Sequence, residues 1–237
     1  MAASEELREH RGGARLMPDK LAFYDLDGTL VSSNVVTQYL WFARNHPDFG
    51  MARRYARAIL RAPWWLSLEM RMRRHEFNIV FFREYAGMRL DWLTENATRM
   101  HDAVLRPATF PGARELVERD RREGFRTILL TGSLDFAIQP LIEQFGFDEA
   151  VTNRLRFRDG VATGELIEPI IAGPEKVDAI RAFCAQHGAD PSVCRAYSDS
   201  MSDVPMLEAV GQPVATNPTN GLRAYAQARS WTVADLK

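Results

Sequence analysis

Cysteine is almost missing from this chain: 237 residues hold two, Cys184 and Cys194. They stand ten residues apart, outside any CxxC pair and away from any histidine cluster. That argues against a disulfide framework or a zinc site and fits a reducing compartment. Charge of one sign is missing too. Thirty basic residues against 31 acidic ones leave a net charge of −1, so composition gives no reason to expect nucleic acid or an acidic partner. No run approaches the roughly 18 apolar residues of a spanning helix. The opening MAASEELREHRGGARLMPDK lacks the apolar centre of a secretion signal. Residues 1–19 are therefore expected to be a solvated tail and the protein cytoplasmic. Internal repeats and low-complexity blocks are also absent. What remains is ordinary: 46% hydrophobic and 26% charged residues, long enough for a sizeable core in one large domain or a domain with an insertion.

Residues 20–33 and 108–237 alternate short apolar runs with amphipathic segments. KLAFYDL, RTILLTGS, VCRAYSDS and PVATN have consecutive rather than alternating apolar residues, the pattern of buried parallel strands. PGARELVERDRREG, EKVDAIRAFCAQHG and DVPMLEAVG read as helices, the first two closed by Gly124 and Gly188. This alternation predicts an α/β fold, a doubly wound parallel sheet. VTNRLRFRDGVATGELIEP departs from it and predicts a β-hairpin turning at Asp159-Gly160. Residues 34–107 are rich in Ala, Leu, Met and Arg at helical spacing and predict an inserted helical domain, with Pro47 and Pro63 separating its helices.

In an open parallel sheet the carboxyl ends of the strands share one crevice. Asp25 and Asp27 end the first apolar run, Thr131, Gly132 and Ser133 the second, and Asp199 and Asp203 follow the third. Lys176, after Gly173-Pro174, begins a helix that reaches the same edge. Four carboxylates gathered there repel one another unless a cation compensates. A hard, oxygen-seeking ion such as Mg²⁺ does so while leaving room for a substrate phosphate. One carboxylate can then attack phosphorus, and a second can protonate the leaving oxygen. The hydroxyl and the ammonium can neutralise the non-bridging oxygens.

DLDGT, LLTGS, the lysine of GPEK and YSDSMSD resemble, in this order, the four motifs of the haloacid dehalogenase-like superfamily. The resemblance spans about residues 20–220 and is greatest to the phosphoserine-phosphatase-like branch, subfamily IB; residues 34–107 resemble its type-1 cap, between a core of 20–33 and 108–237. It implies that Asp25 is the nucleophile and a Mg²⁺ ligand. Asp27 is implied as the general acid/base, binding the metal through its main-chain carbonyl. Thr131 and Lys176 would hold the phosphoryl group with the amides of Leu26 and Gly132. Asp199 would complete the metal site, and Asp203 would orient Lys176. An acid at position 27, which the family's dehalogenases lack, implies phosphomonoester hydrolysis through an aspartyl-phosphate. Asn34, nine residues beyond Asp25, stands on the substrate side where phosphoserine phosphatases carry a glutamate. An uncharged amide cannot meet an amino group as that acid does, which argues against phosphoserine.

Plainer readings compete at single positions. Asp-Gly is usually a turn, Thr131 and Ser133 could cap the following helix, and Asp203 could cap the helix at Val204. Cys184 and Cys194 read as core, and His75, His101 and His187 lack ligand spacing. Arg53, Arg54, Arg57, Arg61, Arg71, Arg73 and Arg74 crowd around Trp64 and Trp65. A solvated basic face is the ordinary explanation. Peripheral contact with a membrane, and hence a phospholipid-related phosphate, is the sharper one. A phosphotransferase, a phosphoaspartate signalling module and a non-catalytic scaffold remain the alternatives, and the oligomeric state is open.

Overall fold

Leu21, Ala22, Phe23 and Tyr24 are all fully buried, as a strand covered on both faces requires. In the computed structural model, which describes residues 20–48, 50, 55–56, 59–61 and 74–237, they form β1 (Lys20–Tyr24). The remaining strands are β2 (Phe125–Leu134), β3 (Glu149–Asn153), β4 (Leu155–Arg158), β5 (Val161–Leu166), β6 (Arg195–Ser198), β7 (Gln212–Thr216) and β8 (Thr232–Ala234). Six of them make one sheet in the order β3-β2-β1-β6-β7-β8, with every pair parallel. The chain builds outward from β1 through β2 to β3, then returns to lay β6 on the other side. The topological switch point, where such sheets bind ligands, is thus the end of β1 beside β6.

Side chains alternate along β1 between two cores. Ala22 and Tyr24 face one that includes Tyr39, Phe42, Phe77 and Phe81 of the insertion. Leu21 and Phe23 face another with Ile180, Cys184, Met206 and Leu222. Each large apolar side chain so buried contributes roughly 1.5–3 kcal/mol. The switch point is held from below by polar groups as well. The Tyr24 and Tyr197 rings stack at 4.7 Å, and both hydroxyls donate to buried Asp120, at 2.6 and 2.5 Å.

Between β1 and β2 the named elements among the described residues are all helical, beginning with helices Val35–Asn45 and Arg74–Phe81. Aromatic rings tie this insertion to the core: Phe42 and Tyr85 lie 5.9 and 6.1 Å from Phe136. Among the described residues no helix is long and apolar enough to cross a membrane. Trp64, Trp65, Arg53, Arg54, Arg57, Arg71 and Arg73, on which the expectation of lipid contact rests, lie outside the described residues, as do Pro63 and the expected tail 1–19. Arg61, which is described, is exposed and lies 3.8 Å from Glu84.

Two expectations need correction. The hairpin is shorter than the stretch assigned to it: Val151–Asn153 belong to β3, parallel to β2, and only β4 and β5 pair antiparallel. Its turn is as read, with Asp159 and Gly160 both left-handed at φ 50° and 74°, the geometry of a type I′ turn. β8 was not foreseen. Its three residues are half-buried or exposed at the sheet edge, so no apolar run announces it.

Candidate active site

The chain leaves β1 into a tight turn. The Leu26 carbonyl accepts from the amides of Thr29, Leu30 and Val31 at 3.2, 2.9 and 3.2 Å. Gly28 sits at φ +87°, and a Cβ there would lie 2.3 Å from Asp199 Oδ2. Gly28→Ala is therefore expected to cost about 1–3 kcal/mol in backbone strain and to displace the Asp199 carboxylate. A thermal melt, with the variant's midpoint below that of the wild type, checks this. Thr29 links the same two segments: its hydroxyl reaches Asp25 Oδ2 (3.1 Å) or Asp199 Oδ1 (3.3 Å) and accepts from the Asp199 amide (3.1 Å).

Lys176 reaches the crevice from the start of helix Glu175–His187. Its ammonium donates to Asp25 Oδ1 at 2.6 Å and to Asp203 Oδ2 at 2.8 Å, and Ser198 Oγ donates to the same Asp203 oxygen at 2.8 Å. All three ionic side chains are buried. Burial disfavours the Lys176 ammonium, but Asp203 and Asp25 outweigh it and hold its pKa above the ordinary value. Burial likewise opposes the Asp203 charge, yet Lys176 and then Arg74 bring that carboxyl below its usual range. Asp27 and Asp199 behave oppositely. Burial, followed by the charge of Asp25, pushes each up to about 7.

Asp25, Asp27 and Lys176 line a cavity of about 20 Å³, room for about one water. They form its floor; Arg74, Phe77 and Asn78, from one turn of helix Arg74–Phe81, form its roof. A much larger groove of about 860 Å³ lies among Arg195, Gln212 and Trp231 at the amino ends of β6, β7 and β8. It is remote from the carboxylates and on the wrong edge for ligand binding in such a sheet. Its cationic residues are paired, Arg195 with Asp120 and Glu123 at 2.6 Å each.

The structure brings Asp25, Asp27, Lys176, Asp199 and Asp203 to one strand edge, with Gly132 on the cavity wall. A Cβ on Gly132 would lie 3.1 Å from Asn78 Nδ2 and 3.2 Å from the Ile171 carbonyl. Thr131 is fully buried, and its hydroxyl accepts from the Ser133 amide at 3.1 Å. Leu26 is buried beneath the turn. Asn34 borders the cavity, but its side-chain oxygen accepts from the amides of Val36 and Thr37 and caps helix Val35–Asn45. Its Oδ1 thus caps the helix while the residue stays on the cavity wall. The cap readings elsewhere fail: Leu134 precedes helix Asp135–Phe145 without a side-chain cap, and the Asp203 side chain makes none.

Sequence reasoning passed over several residues. Thr29 stood inside a quoted motif without a role, and Ser133 was read only as a helix cap. Ser133 Oγ donates to Asp27 Oδ2 at 3.0 Å. Asn153 clamps the loop before Lys176 to β2, accepting from the Ile171 amide (2.7 Å) and donating to the Gly132 carbonyl (2.8 Å). Arg74 was seen only as part of a basic cluster. Nothing local marks Asn153 or Arg74, because each acts through partners distant in sequence.

A model of the haloacid dehalogenase-like hydrolases matches residues 22–208. The chain is similar to a Streptomyces azureus protein named for inhibition of morphological differentiation, with 33% identity over 93% of this chain and 79% of that protein. It is also similar to a probable phosphatase of Mycobacterium tuberculosis, 30% identical over 94% of this chain and 77% of the other. Among solved structures, a substrate-bound phosphoserine phosphatase superposes with a TM-score of 0.70 at 16% identity, covering 93% of this chain and 94% of its own; at that identity the likeness is one of fold.

Proposed function

The chain belongs to the haloacid dehalogenase-like hydrolase family, and from that premise we propose that it is a Mg²⁺-dependent phosphatase that hydrolyses a small phosphomonoester through an aspartyl-phosphate on Asp25. The observation that carries this reading is the Asp25–Lys176–Asp203 chain of contacts at 2.6 and 2.8 Å, with Asp27 and Asp199 at the same edge.

The residues suit a metal. Asp199 is a carboxylate that burial and Asp25 make hard to ionise without a cation, and Gly28 keeps clear the space against Asp199 that any side chain would fill. Among the described residues no three acidic, histidine or cysteine side chains form a metal cluster. As the family resemblance implies, the ion would be held by two carboxylates, Asp25 and Asp199, with the Asp27 carbonyl and water, a small all-oxygen set that matches Mg²⁺. Bound there, Mg²⁺ would neutralise phosphoryl oxygens and lower the repulsion between phosphate and Asp25.

The chain's own groups supply the rest. An Asp25 oxygen attacks phosphorus as the ester P–O bond breaks, and the leaving oxygen takes the electron pair and a proton from Asp27. Asp27, now ionised, accepts a proton from water as that water attacks the acyl phosphate. The Asp25–phosphorus bond then breaks and the carboxylate is restored. Lys176, fixed by Asp203, stays beside Asp25 and steadies the charge on the transferring group, with Thr131 and the amides of Leu26 and Gly132 as further donors. The cavity of about 20 Å³ is smaller than a phosphomonoester, and a second cavity of about 360 Å³ shares Arg74, Ala172 and Gly173 with it. The insertion, residues 34–107, would act as the cap that selects the leaving group. With Asn34 occupied as a helix cap, no acid meets a substrate amine there, which favours esters other than phosphoserine. The expected location is the cytoplasm.

Phosphate release from phosphoserine, sugar phosphates, phosphocholine, glycerol phosphate and lysophosphatidate, with and without Mg²⁺, tests the reading. Metal-dependent release into water supports it. Transfer to an added alcohol in place of water would make the chain a phosphotransferase. Durable labelling by acetyl phosphate without turnover would make it a signalling module.

Metal binding should also be visible without substrate. Unfolded carboxyls titrate near pH 4, whereas Asp27 and Asp199 hold protons up to about 7 in the folded protein. As pH rises from about 4 to 7 the unfolded chain releases those protons first, so these two groups lower the stability of the metal-free protein over that window. A cation bound by the ionised Asp199 carboxylate reverses that group's share, while Asp27, which would meet the ion through its carbonyl, keeps its proton up to about 7. Mg²⁺ at about tenfold its dissociation constant adds ~1.4 kcal/mol, or roughly 3–5 °C in Tm. That shift is expected at pH 8 and should be much smaller at pH 5; equal shifts at both would contradict the assignment.

A further inference from the structure

Asp27 has two unlike oxygens. Oδ2 accepts from Ser133 Oγ at 3.0 Å. Oδ1 is buried, has no hydrogen-bond partner, and belongs to a residue that lines the small cavity. Ser133 is fully buried, and its hydroxyl in turn accepts from Gln38 Nε2 at 3.1 Å. Gln38 is only 1% exposed and comes from helix Val35–Asn45 of the insertion, so the contact joins insertion, β2 and β1.

A serine hydroxyl has one proton and accepts at the remaining positions. Because Gln38 donates to it, the proton of Ser133 is turned to Asp27 Oδ2. That oxygen then serves as an acceptor, and a proton carried by Asp27 sits on Oδ1, the oxygen left without a partner. We propose that Ser133 and Gln38 are positioning residues that place the transferable proton of Asp27 on the oxygen facing the leaving group. The proposal rests on the phosphatase reading and deepens it. In the first step the proton passes from Oδ1 to the leaving oxygen; in the second, Oδ1 receives a proton from the attacking water. Ser133 keeps its own proton throughout. Neither residue touches the substrate, and both act through Asp27.

Such a role shows itself in the leaving group. An alkoxide must be protonated as it departs, whereas nitrophenolate and acetate need no acid. The measure is kcat/KM, which reports the phosphorylation step alone, for an alkyl phosphate that the wild type hydrolyses and for p-nitrophenyl phosphate. Ser133→Ala is expected to lose about 10²-fold on the alkyl ester and less than about threefold on the aryl ester. Gln38→Met, close in volume, should show the same split with a smaller loss. The double variant should match Ser133→Ala, since Gln38 acts through the serine. Melting curves confirm that the variants are folded. Equal losses on both esters, no loss on either, or additive losses in the double variant would overturn the proposal while leaving the phosphatase intact. A wild type that cleaves neither ester would overturn the underlying reading and this one with it.

Discussion

Lys176→Met is expected to remove about 3–5 kcal/mol of stability and to abolish turnover. Lys176 is the ammonium between Asp25 and Asp203, and all three side chains are almost completely buried. Methionine fills the space but leaves two carboxylates in the interior facing an apolar chain, and breaking a buried ion pair from one side carries that cost. For a domain of this size the change lowers Tm by roughly 10 °C. The pH dependence gives a second check. The Asp203 value lies below its ordinary range, so its contribution is present above the unfolded value of about 4 and is lost as pH falls through the folded value. The Lys176 value is raised, so its contribution is complete below about 10 and lost as pH rises beyond that. The gap between wild type and variant should thus be widest near neutral pH and should narrow below about 4. A gap that stayed constant across that range would mean that the ion pairs are not its source.

Asp25→Asn should lower phosphate release by at least about 10³-fold, the loss expected when a nucleophile is removed, while the protein stays folded. The reason is local. Asp25 is the charge that, after burial, pushes both Asp27 and Asp199 up to about 7, so neutralising it relieves repulsion in the metal-free protein. The asparagine oxygen can still accept from Lys176, and Asp203 still holds that lysine at 2.8 Å. The metal-free variant should melt at or above the wild-type temperature and respond less to Mg²⁺. Lost activity together with a collapsed fold would indicate that Asp25 is needed for structure, and full activity would remove it from the chemistry.

These effects were partly legible in the sequence. Uninterrupted apolar runs such as Leu21–Tyr24 mark buried parallel strands, and the positions that follow them, Asp25 and Asp199, had to share an edge once the sheet was parallel. Lys176 was legible only through its order among the other motifs, since a lysine opening a helix is usually solvated. Asn34 shows where such reasoning stops. The same residue type serves as a substrate contact or as an N-cap, and Thr37 three residues on completes the capping box seen in the structure. Ser133 looked like a cap for the next helix, but β2 runs on to Leu134 and carries the hydroxyl to Asp27. Gln38 gives no signal at all. A glutamine in an amphipathic helix reads as surface, and only the seating of that helix against β2 buries it. β8 and the first residues of the hairpin stretch escaped notice because short edge strands are half exposed and lack a continuous apolar run.

The central claim, a phosphoryl group carried by Asp25, is tested most directly by trapping it. Wild-type protein turning over its preferred ester with Mg²⁺ is quenched in acid and treated with borohydride, which reduces an acyl phosphate to the alcohol and leaves free carboxylates alone. Peptide mass spectrometry should then find residue 25 converted from carboxylate to alcohol, only when substrate was present. Sustained phosphate release with residue 25 unreduced, or reduction at another acid, would contradict the account.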